Sequence, residues 1–81
     1  MNVEVKLFAR ARDVAGAETV TLVVPDSATV ADLRAALALK FPEMESLAPN
    51  LLVAVGNEYA DDQTTLDASK EIACFPPVSG G

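Results

Sequence analysis

The sequence predicts an α+β domain in which a small mixed β-sheet packs against one main helix. Apolar and polar residues alternate in two segments near the start of the chain, which is the pattern of strands with one buried face. Between residues 30 and 41, apolar residues recur at helical spacing instead. Two further apolar runs, at 51–55 and 71–75, lie between turn-forming residues and predict additional strands.

The first strand is predicted from alternation of an apolar set, Val3, Val5 and Leu7, with a more polar set, Glu4, Lys6 and Phe8. Residues 9–16 then predict a short helix that ends at Gly16, because glycine favours helix C-termini. In a second strand, the alternating sets are Val20, Leu22 and Val24 against Thr19, Thr21 and Val23. Pro25 stops this strand, and we expect the two strands to form a hairpin-like pair.

The main helix is predicted to begin after Thr29, whose side chain is placed to cap the first backbone amides. Asp32 follows three residues later, where its negative charge favours the first turn. The predicted apolar face consists of Val30, Leu33, Ala36, Leu37 and Phe41, and the residues expected to face away are Asp32, Arg34, Ala35 and Lys40. The helix must end near Phe41, because Pro42 disfavours helical geometry in the residue before it.

The rest of the chain predicts a connecting segment and three short strands. Residues 43–50 predict a loop or one loose turn, and residues 51–55 predict the third strand. Turns at Gly56-Asn57 and Asp61-Asp62 flank a brief strand that carries Tyr59, and residues 71–75 form the last strand. This order of elements suits the β-grasp arrangement, in which one sheet face packs on the helix. The last strand can then lie inside the sheet.

Composition limits the organisation and the partners of the chain. Eighty-one residues are expected to form one domain, residues 1–81, since a second domain could not bury enough apolar surface. Six basic and twelve acidic residues give a formal net charge of −6 at pH 7. This charge disfavours nucleic acid and anionic membrane surfaces as partners. It suits a basic protein surface, or serves solubility alone.

Residue types that carry metal and acid–base chemistry are scarce. The chain has one cysteine and no histidine, so we expect no internal disulfide and no metal site. No apolar run approaches the roughly 20 residues that cross a bilayer. The first residues lack the basic start and apolar stretch of a secretory signal. A cytoplasmic location is therefore expected.

The C-terminal residues carry the best clue to function. Pro76 and Pro77 cannot donate to a strand ladder, so they should end the last strand and hold the chain extended. Residues 76–81 are expected to project by roughly 20 Å from the body of the domain. Gly80 and Gly81 have no Cβ and could pass through a channel too narrow for other residues. The free carboxylate of Gly81 is then the natural reactive group.

Two segments, Lys6-Leu7-Phe8-Ala9-Arg10-Ala11-Arg12 and Phe75-Pro76-Pro77-Val78-Ser79-Gly80-Gly81, resemble the small subunit of molybdopterin synthase. The resemblance covers the whole chain and implies a ubiquitin-like sulfur carrier. In that family an ATP-dependent activating enzyme adenylates the final glycine, which becomes a thiocarboxylate. The loaded tail then enters the large subunit and gives its sulfur to a cyclic pyranopterin monophosphate during molybdenum cofactor synthesis. A dimer of large subunits carries one small subunit at each end.

The resemblance assigns Gly81 as the sulfur-bearing residue and Pro76, Pro77, Val78, Ser79 and Gly80 as the tail that delivers it. A terminal carboxylate is an anion with a poor leaving group at neutral pH, so activation must come from outside. The chain has no histidine and no glycine-rich nucleotide loop. We therefore expect a carrier that is not catalytic alone and binds no cofactor, with ATP consumed by the activating enzyme.

An apolar docking patch is predicted on the sheet face opposite the helix. Phe8 is in phase with Glu4 and Lys6, and Phe75 is in phase with Glu71, so each ring falls on the more polar face of its strand. Tyr59 joins the patch because its position is usually apolar in the resembled family. The alternative is that one or both phenylalanines pack under the loop at 42–49.

Three other features have a structural and a functional interpretation. Cys74 is expected to point into the core as a small hydrophobic residue, with a sulfur-relay role as the alternative. Arg10 and Arg12 predict a solvated helix face, or a docking site for the activating enzyme. The Asp61-Asp62 pair predicts only a turn. Ser69-Lys70, Cys74 and Gly56 depart from the resembled pattern and affect turn geometry rather than the tail.

Three other functions remain open from the sequence. A ubiquitin-like modifier would use the same activation chemistry but join Gly81 to a lysine of a target protein. A sulfur carrier of the thiamine pathway would load sulfur in the same way, although such chains resemble this one less at Phe75–Ser79. A passive β-grasp interaction module would carry its two terminal glycines by accident.

Overall fold

The computed structural model describes residues 1–77, and within them a five-stranded sheet packs on one long helix. The strands are β1 Asn2–Leu7, β2 Thr19–Val23, β3 Leu52–Val55, β4 Glu58–Ala60 and β5 Ile72–Phe75. The helices are α1 Ala9–Ala15 and α2 Val30–Lys40, followed by two 3₁₀ turns at Pro42–Met44 and Ala48–Asn50. The sequence-predicted order of elements is confirmed.

The last strand lies at the centre of the sheet, as predicted. The strand order is β2-β1-β5-β3-β4. β1 and β5 run parallel, whereas β2 is antiparallel to β1 and β3 is antiparallel to both β4 and β5. The sheet is therefore mixed, and the α+β, β-grasp prediction is confirmed. Because β5 has a strand on each side, Pro76 and Pro77 follow the middle of the sheet.

The core forms between α2 and the inner face of the sheet. Three helix residues, Val30, Leu33 and Leu37, are fully buried. They meet alternating strand residues, which include Val3, Val5, Leu7, Val20, Leu22, Val53, Ile72 and Cys74. Each such side chain stabilises the fold by about 1.5–3 kcal/mol relative to an exposed one. Alternation along the strands thus places the opposite set of residues on the outer face.

Helix boundaries follow the predicted signals. The backbone N–H of Thr29 donates to Oδ2 of Asp32 over 2.9 Å, as part of a capping box. Gly16 ends α1 with a φ of 74° and donates its N–H to the Arg12 carbonyl over 2.8 Å. A residue with a Cβ would be strained in this left-handed conformation. α2 ends at Lys40, just before Phe41 and Pro42.

Two sequence predictions need correction on the helix side of the fold. The segment 43–50 is more ordered than a loop or a single loose turn, because it contains most of two 3₁₀ turns and buries Met44 and Ala48. The prediction that Arg34 faces away is wrong. Its side chain is only 18% exposed and donates to groups on two other segments. The long side chain folds back because its donors find acceptors there.

Neither α1 nor α2, the helices of residues 1–77, is long and apolar enough to cross a membrane. Within the same residues, no group of three or more acidic, histidine or cysteine side chains is arranged to hold a metal ion.

Candidate functional site

The outer face of the sheet, opposite α2, carries a row of aligned side chains across four strands. Lys6 lies beside Ala73, Ala73 lies opposite Ala54, and Ala54 lies opposite Tyr59. In the next row, Leu52 lies opposite Phe75. On β1, β3 and β5 the flanking residues Leu7, Leu51, Val53, Ile72 and Cys74 are buried, so the two rows face away from α2.

Three aromatic rings meet on this outer face. The ring centroid of Phe75 lies 5.7 Å from that of Phe8 and 5.9 Å from that of Tyr59. The Phe8 pair is tilted by 51°, and the Tyr59 pair is edge-on at 88°, both within the favourable range for aromatic pairs. Phe8 is 43% exposed and Tyr59 is 74% exposed. Together with Leu52, these residues form what we call the aromatic surface.

The three aromatic residues that the sequence analysis placed together, Phe8, Tyr59 and Phe75, lie together in the structure. The alternative placement of the phenylalanines under the segment 42–49 does not occur, because Phe8 and Phe75 contact each other on the opposite side. Phe41 packs against the core beside that segment instead. Whether the aromatic surface binds a partner stays a prediction at this point.

Leu52 belongs to the aromatic surface but escaped the sequence analysis. It is 38% exposed although it lies in a continuous apolar run. Its neighbours Leu51 and Val53 are both buried. Period-two alternation within residues 51–55 would have placed Leu52 on the outer face. The uniform apolar character of the run concealed this signal.

Phe8 is held at a sharp turn between β1 and α1. Its N–H donates to the Cys74 carbonyl over 3.2 Å, which ties the end of β1 to β5. The next residue, Ala9, has a φ of 53°, a left-handed conformation that costs an L-residue roughly 1–2 kcal/mol. The chain therefore turns into α1 immediately after Phe8, and the ring stays on the outer face.

The predicted tail begins beside the aromatic surface. Pro76 and Pro77 follow Phe75 directly, with Pro76 half-buried and Pro77 exposed. The other predicted tail residues, Val78, Ser79, Gly80 and Gly81, lie outside the described residues. The division of the chain into a body and a projecting segment 76–81 therefore stays a prediction. Within residues 1–77, the aromatic surface and the start of the tail are adjacent because Phe75, the last residue of β5, is followed directly by Pro76.

Cys74 points away from the aromatic surface and into the core, as predicted. It is fully buried. Burial raises the pKa of Cys74 to about 12, against a smaller opposing effect of the positive charge of Arg34. Its thiol is therefore protonated at neutral pH and is a poor nucleophile. The geometry favours the core role over a sulfur relay.

Charged side chains flank the aromatic surface on the β1 side. Lys6 and Glu71 form an ion pair of 3.2 Å, and Arg12 and Glu18 form a looser one of 3.9 Å. All four side chains are well exposed, so these pairs contribute little to stability. Arg10 is also exposed. The arginines are thus solvated, as predicted, and their alternative role in docking stays untested.

The fold and its aromatic surface define a β-grasp protein whose central strand leads into a diglycine terminus. Residues 5–81 match the ThiS family, and the chain belongs to that family. It is 36% identical over 81 residues to the molybdopterin synthase sulfur carrier subunit of Arabidopsis thaliana, covering 100% of this chain and 84% of that protein. The corresponding protein of Chlamydomonas reinhardtii is 34% identical over 83 residues, with 100% of both chains covered.

Solved structures share the fold. The crystal structure of SAMP1, a small archaeal modifier protein from Haloferax volcanii, is 38% identical with a TM-score of 0.84, and the match covers 100% of both chains. A complex of subunits 1 and 2 of the molybdopterin-converting factor from Helicobacter pylori contains a chain that is 23% identical with a TM-score of 0.66, again over 100% of both chains. At that identity the second match is evidence for the fold alone.

Proposed function

We propose that this chain is the sulfur-carrier subunit of molybdopterin synthase, with Gly81 as the residue that bears the sulfur. The observation that carries this proposal is similarity over the whole of this chain to proteins named molybdopterin synthase sulfur carrier subunit, with a family match that extends through Gly80 and Gly81. The same name recurs for a human relative that is 30% identical and covers 99% of this chain.

Activation of Gly81 needs an external enzyme and ATP. The terminal carboxylate attacks the α-phosphorus of ATP, so that pyrophosphate leaves and an acyl adenylate forms. A sulfur nucleophile then attacks the carbonyl carbon, AMP leaves, and the terminus becomes a thiocarboxylate. Its sulfur is nucleophilic and attacks an electrophilic carbon of a cyclic pyranopterin monophosphate, displacing an oxygen substituent. Water then cleaves the resulting thioester, so that the sulfur stays on the substrate and the Gly81 carboxylate is restored. The carrier supplies the reacting group, and its partners supply the catalytic residues.

The aromatic surface is suited to dock the large subunit while the tail reaches the active site. Exposed aromatic residues often dominate protein interfaces, and Phe75 lies directly before Pro76 and Pro77. Docking at Phe8, Tyr59 and Phe75 would therefore fix the point from which the tail departs. A net charge of −6 favours protein partners over nucleic acid.

The remaining elements of the proposal follow from this role. The carrier binds no cofactor of its own, and its second partner is the activating enzyme that consumes ATP. Two small subunits and two large subunits would form a heterotetramer. The carrier would act in the cytoplasm together with the activating enzyme.

A ubiquitin-like modifier is the second candidate function. It is favoured by the full-length match to a small archaeal modifier protein at 38% identity. In that case a lysine amine of a target protein attacks the acyl adenylate, AMP leaves, and an isopeptide bond forms. Both candidates share the activated Gly81 and differ only in the nucleophile.

Intact-mass spectrometry tests the proposal directly. The chain is incubated with ATP, the activating enzyme and a sulfide donor, and the expected product carries one sulfur in place of one terminal oxygen. A variant lacking Gly81 should fold normally, because a chain end contributes little to a core, but should not be loaded. An unchanged mass of the full chain contradicts the sulfur-carrier role. A lysine-linked adduct in place of the thiocarboxylate supports the modifier.

A further inference from the structure

Arg34 joins three segments that lie behind the aromatic surface. Its Nε donates to Oδ1 of Asp62 over 2.7 Å. Its Nη1 donates to the carbonyl of Ala48 over 2.7 Å and to that of Leu51 over 2.6 Å. One side chain thus connects the middle of α2 with the second 3₁₀ turn, with the residue before β3, and with the loop after β4.

This arrangement depends on the guanidinium group. Its planar fork presents several donors in fixed directions, whereas a lysine ammonium is a single point charge on a flexible stem. A lysine at position 34 could reach one of the three acceptors but could not hold all three in place. The carbonyl of Leu51 lies just after a 3₁₀ turn, where carbonyl groups need partners from outside the turn. The carbonyl of Ala48 also accepts the N–H of Leu51 over 3.3 Å, so Arg34 adds a second donor there.

The acceptors of Arg34 lie next to strand residues that form the aromatic surface. Leu51 immediately precedes Leu52, which lies opposite Phe75. Asp62 follows two residues after the end of β4, which carries Tyr59. β4 has only three residues and lies at the edge of the sheet, next to β3. Short edge strands are among the least stable parts of a fold, so their position depends on such external contacts.

We propose that Arg34 is a positioning residue that holds Leu52 and Tyr59 in line with Phe75 for docking of the large subunit, an inference that rests on the docking role proposed above. Arg34 acts from the helix side of the sheet and does not touch the aromatic rings itself. Arg34 fixes the positions of β3 and β4, and these strands carry Leu52 and Tyr59, the part of the aromatic surface that lies away from Phe8.

The test measures the affinity of Arg34→Lys for the molybdopterin synthase large subunit from the same organism, under conditions in which the variant is more than nine-tenths folded. A loss of global stability then has almost no effect on affinity, whereas disorder confined to β3 and β4 lowers it. We expect affinity to fall about tenfold, the equivalent of about 1.4 kcal/mol. Arg10→Lys is the matched control and should bind as the wild type does, because Arg10 is exposed and makes no side-chain hydrogen bond to another residue of 1–77.

A double-mutant cycle separates positioning from a general structural effect. Combined with Tyr59→Ala, Arg34→Lys should cause a smaller additional loss than it causes alone, because one of the two residues that it positions is already gone. Combined with Phe8→Ala, at the other end of the aromatic surface, Arg34→Lys should lower the affinity by the same factor as it does alone. Hydrogen exchange adds a second measurement, in which the amides of β3 and β4 should exchange faster in Arg34→Lys while those of β1 and β2 stay unchanged.

Equal losses in the Tyr59→Ala and Phe8→Ala backgrounds would overturn the inference. The inference is also overturned if Arg34→Lys binds with wild-type affinity while Phe75→Ala binds weakly. That result leaves the docking role intact. If Phe75→Ala also binds normally, the docking role and the inference both fail. Should Arg34→Lys not fold, Asp62→Asn keeps both carbonyl contacts and should give a smaller loss that depends on Tyr59 in the same way.

Discussion

Phe8 and Phe75 pack against each other at a centroid distance of 5.7 Å because the parallel pairing of β1 with β5 brings the ends of both strands together. Parallel neighbours need a crossover connection, and here the intervening chain forms α1, β2, α2, β3 and β4. The pair therefore exists only in the completed fold. Phe75 also contacts Tyr59, so it is the central residue of the aromatic surface.

Replacing Phe75 by alanine should weaken binding to the large subunit more than any other change on the outer face. Central aromatic residues of an interface commonly contribute 2 kcal/mol or more, and we expect a loss of about 2 kcal/mol by isothermal titration calorimetry. Val23→Ala is the matched control, because Val23 is 78% exposed but lies on β2 at the far edge of the sheet. Equal affinities of the two variants would rule out the aromatic surface as the docking site.

The buried thiol of Cys74 predicts how stability changes with pH. Its pKa is raised from 9.0 to about 12, so the folded state retains the thiol proton after the unfolded state has lost it. This contribution to stability is complete below pH 9 and is lost as the pH rises toward 12. At pH 11 the wild type should have lost about 2 kcal/mol of unfolding free energy that Cys74→Ala does not lose. Urea unfolding at pH 8 and pH 11 measures the difference.

Sulfur loading of the same Cys74→Ala variant provides an independent result. Because the thiol is fully buried and takes no part in the proposed chemistry, loading of Gly81 should proceed as in the wild type. Loss of loading in a folded variant would show that the sulfur passes through Cys74, contrary to the core role.

Sequence reasoning predicted the fold well because its signals are local. Alternation identifies β1 and β2, and Thr29, Asp32 and Pro42 set the boundaries of α2 through capping and steric effects. The central position of β5 followed from the order of elements. The same rules placed Phe8 and Phe75 on the outer face, since strand periodicity decides which side a residue occupies.

What the sequence did not reveal depends on contacts between distant segments. Arg34 lies on a helix position that periodicity assigns to solvent, yet its acceptors come from residues 48, 51 and 62. Asp62 was interpreted only as part of a turn, because its contact with Arg34 joins residues that are far apart in the sequence. Leu52 was missed because every residue of its run is apolar, so the sequence does not show which one faces outward. The pairing of Leu52 with Phe75 shows it. These features require the tertiary arrangement.

The left-handed conformation of Ala9 predicts a stabilising substitution. Its φ of 53° costs about 1–2 kcal/mol for a residue with a Cβ, whereas glycine adopts it without strain but loses about 0.5–1 kcal/mol through greater freedom of the unfolded chain. Ala9→Gly should therefore raise the unfolding free energy by up to about 1 kcal/mol. Ala35→Gly, in the exposed interior of α2, should lower it by about 1 kcal/mol. Equal losses in both variants would show that Ala9 is not strained.

The edge strand β2 predicts a role for Lys40 in keeping copies of the chain apart. Strands at the edge of a sheet present unpaired backbone groups that can pair with another chain, and lysine side chains commonly prevent this. Nζ of Lys40 donates to the Thr21 carbonyl over 3.0 Å, which occupies one acceptor of the β2 edge. The exposed side chains of Val23 and Leu39 lie close by and would add apolar contact area to such a pairing.

Lys40→Ala should therefore self-associate at lower concentrations than the wild type. It frees the Thr21 carbonyl and removes a charge that an approaching strand would have to desolvate. Sedimentation velocity over a concentration series measures the change, with Lys70→Ala as a control that removes the same charge from the loop before β5. If Lys40→Ala and Lys70→Ala associate to the same extent, net charge governs association. An effect confined to Lys40→Ala identifies the β2 edge as the surface that the lysine protects.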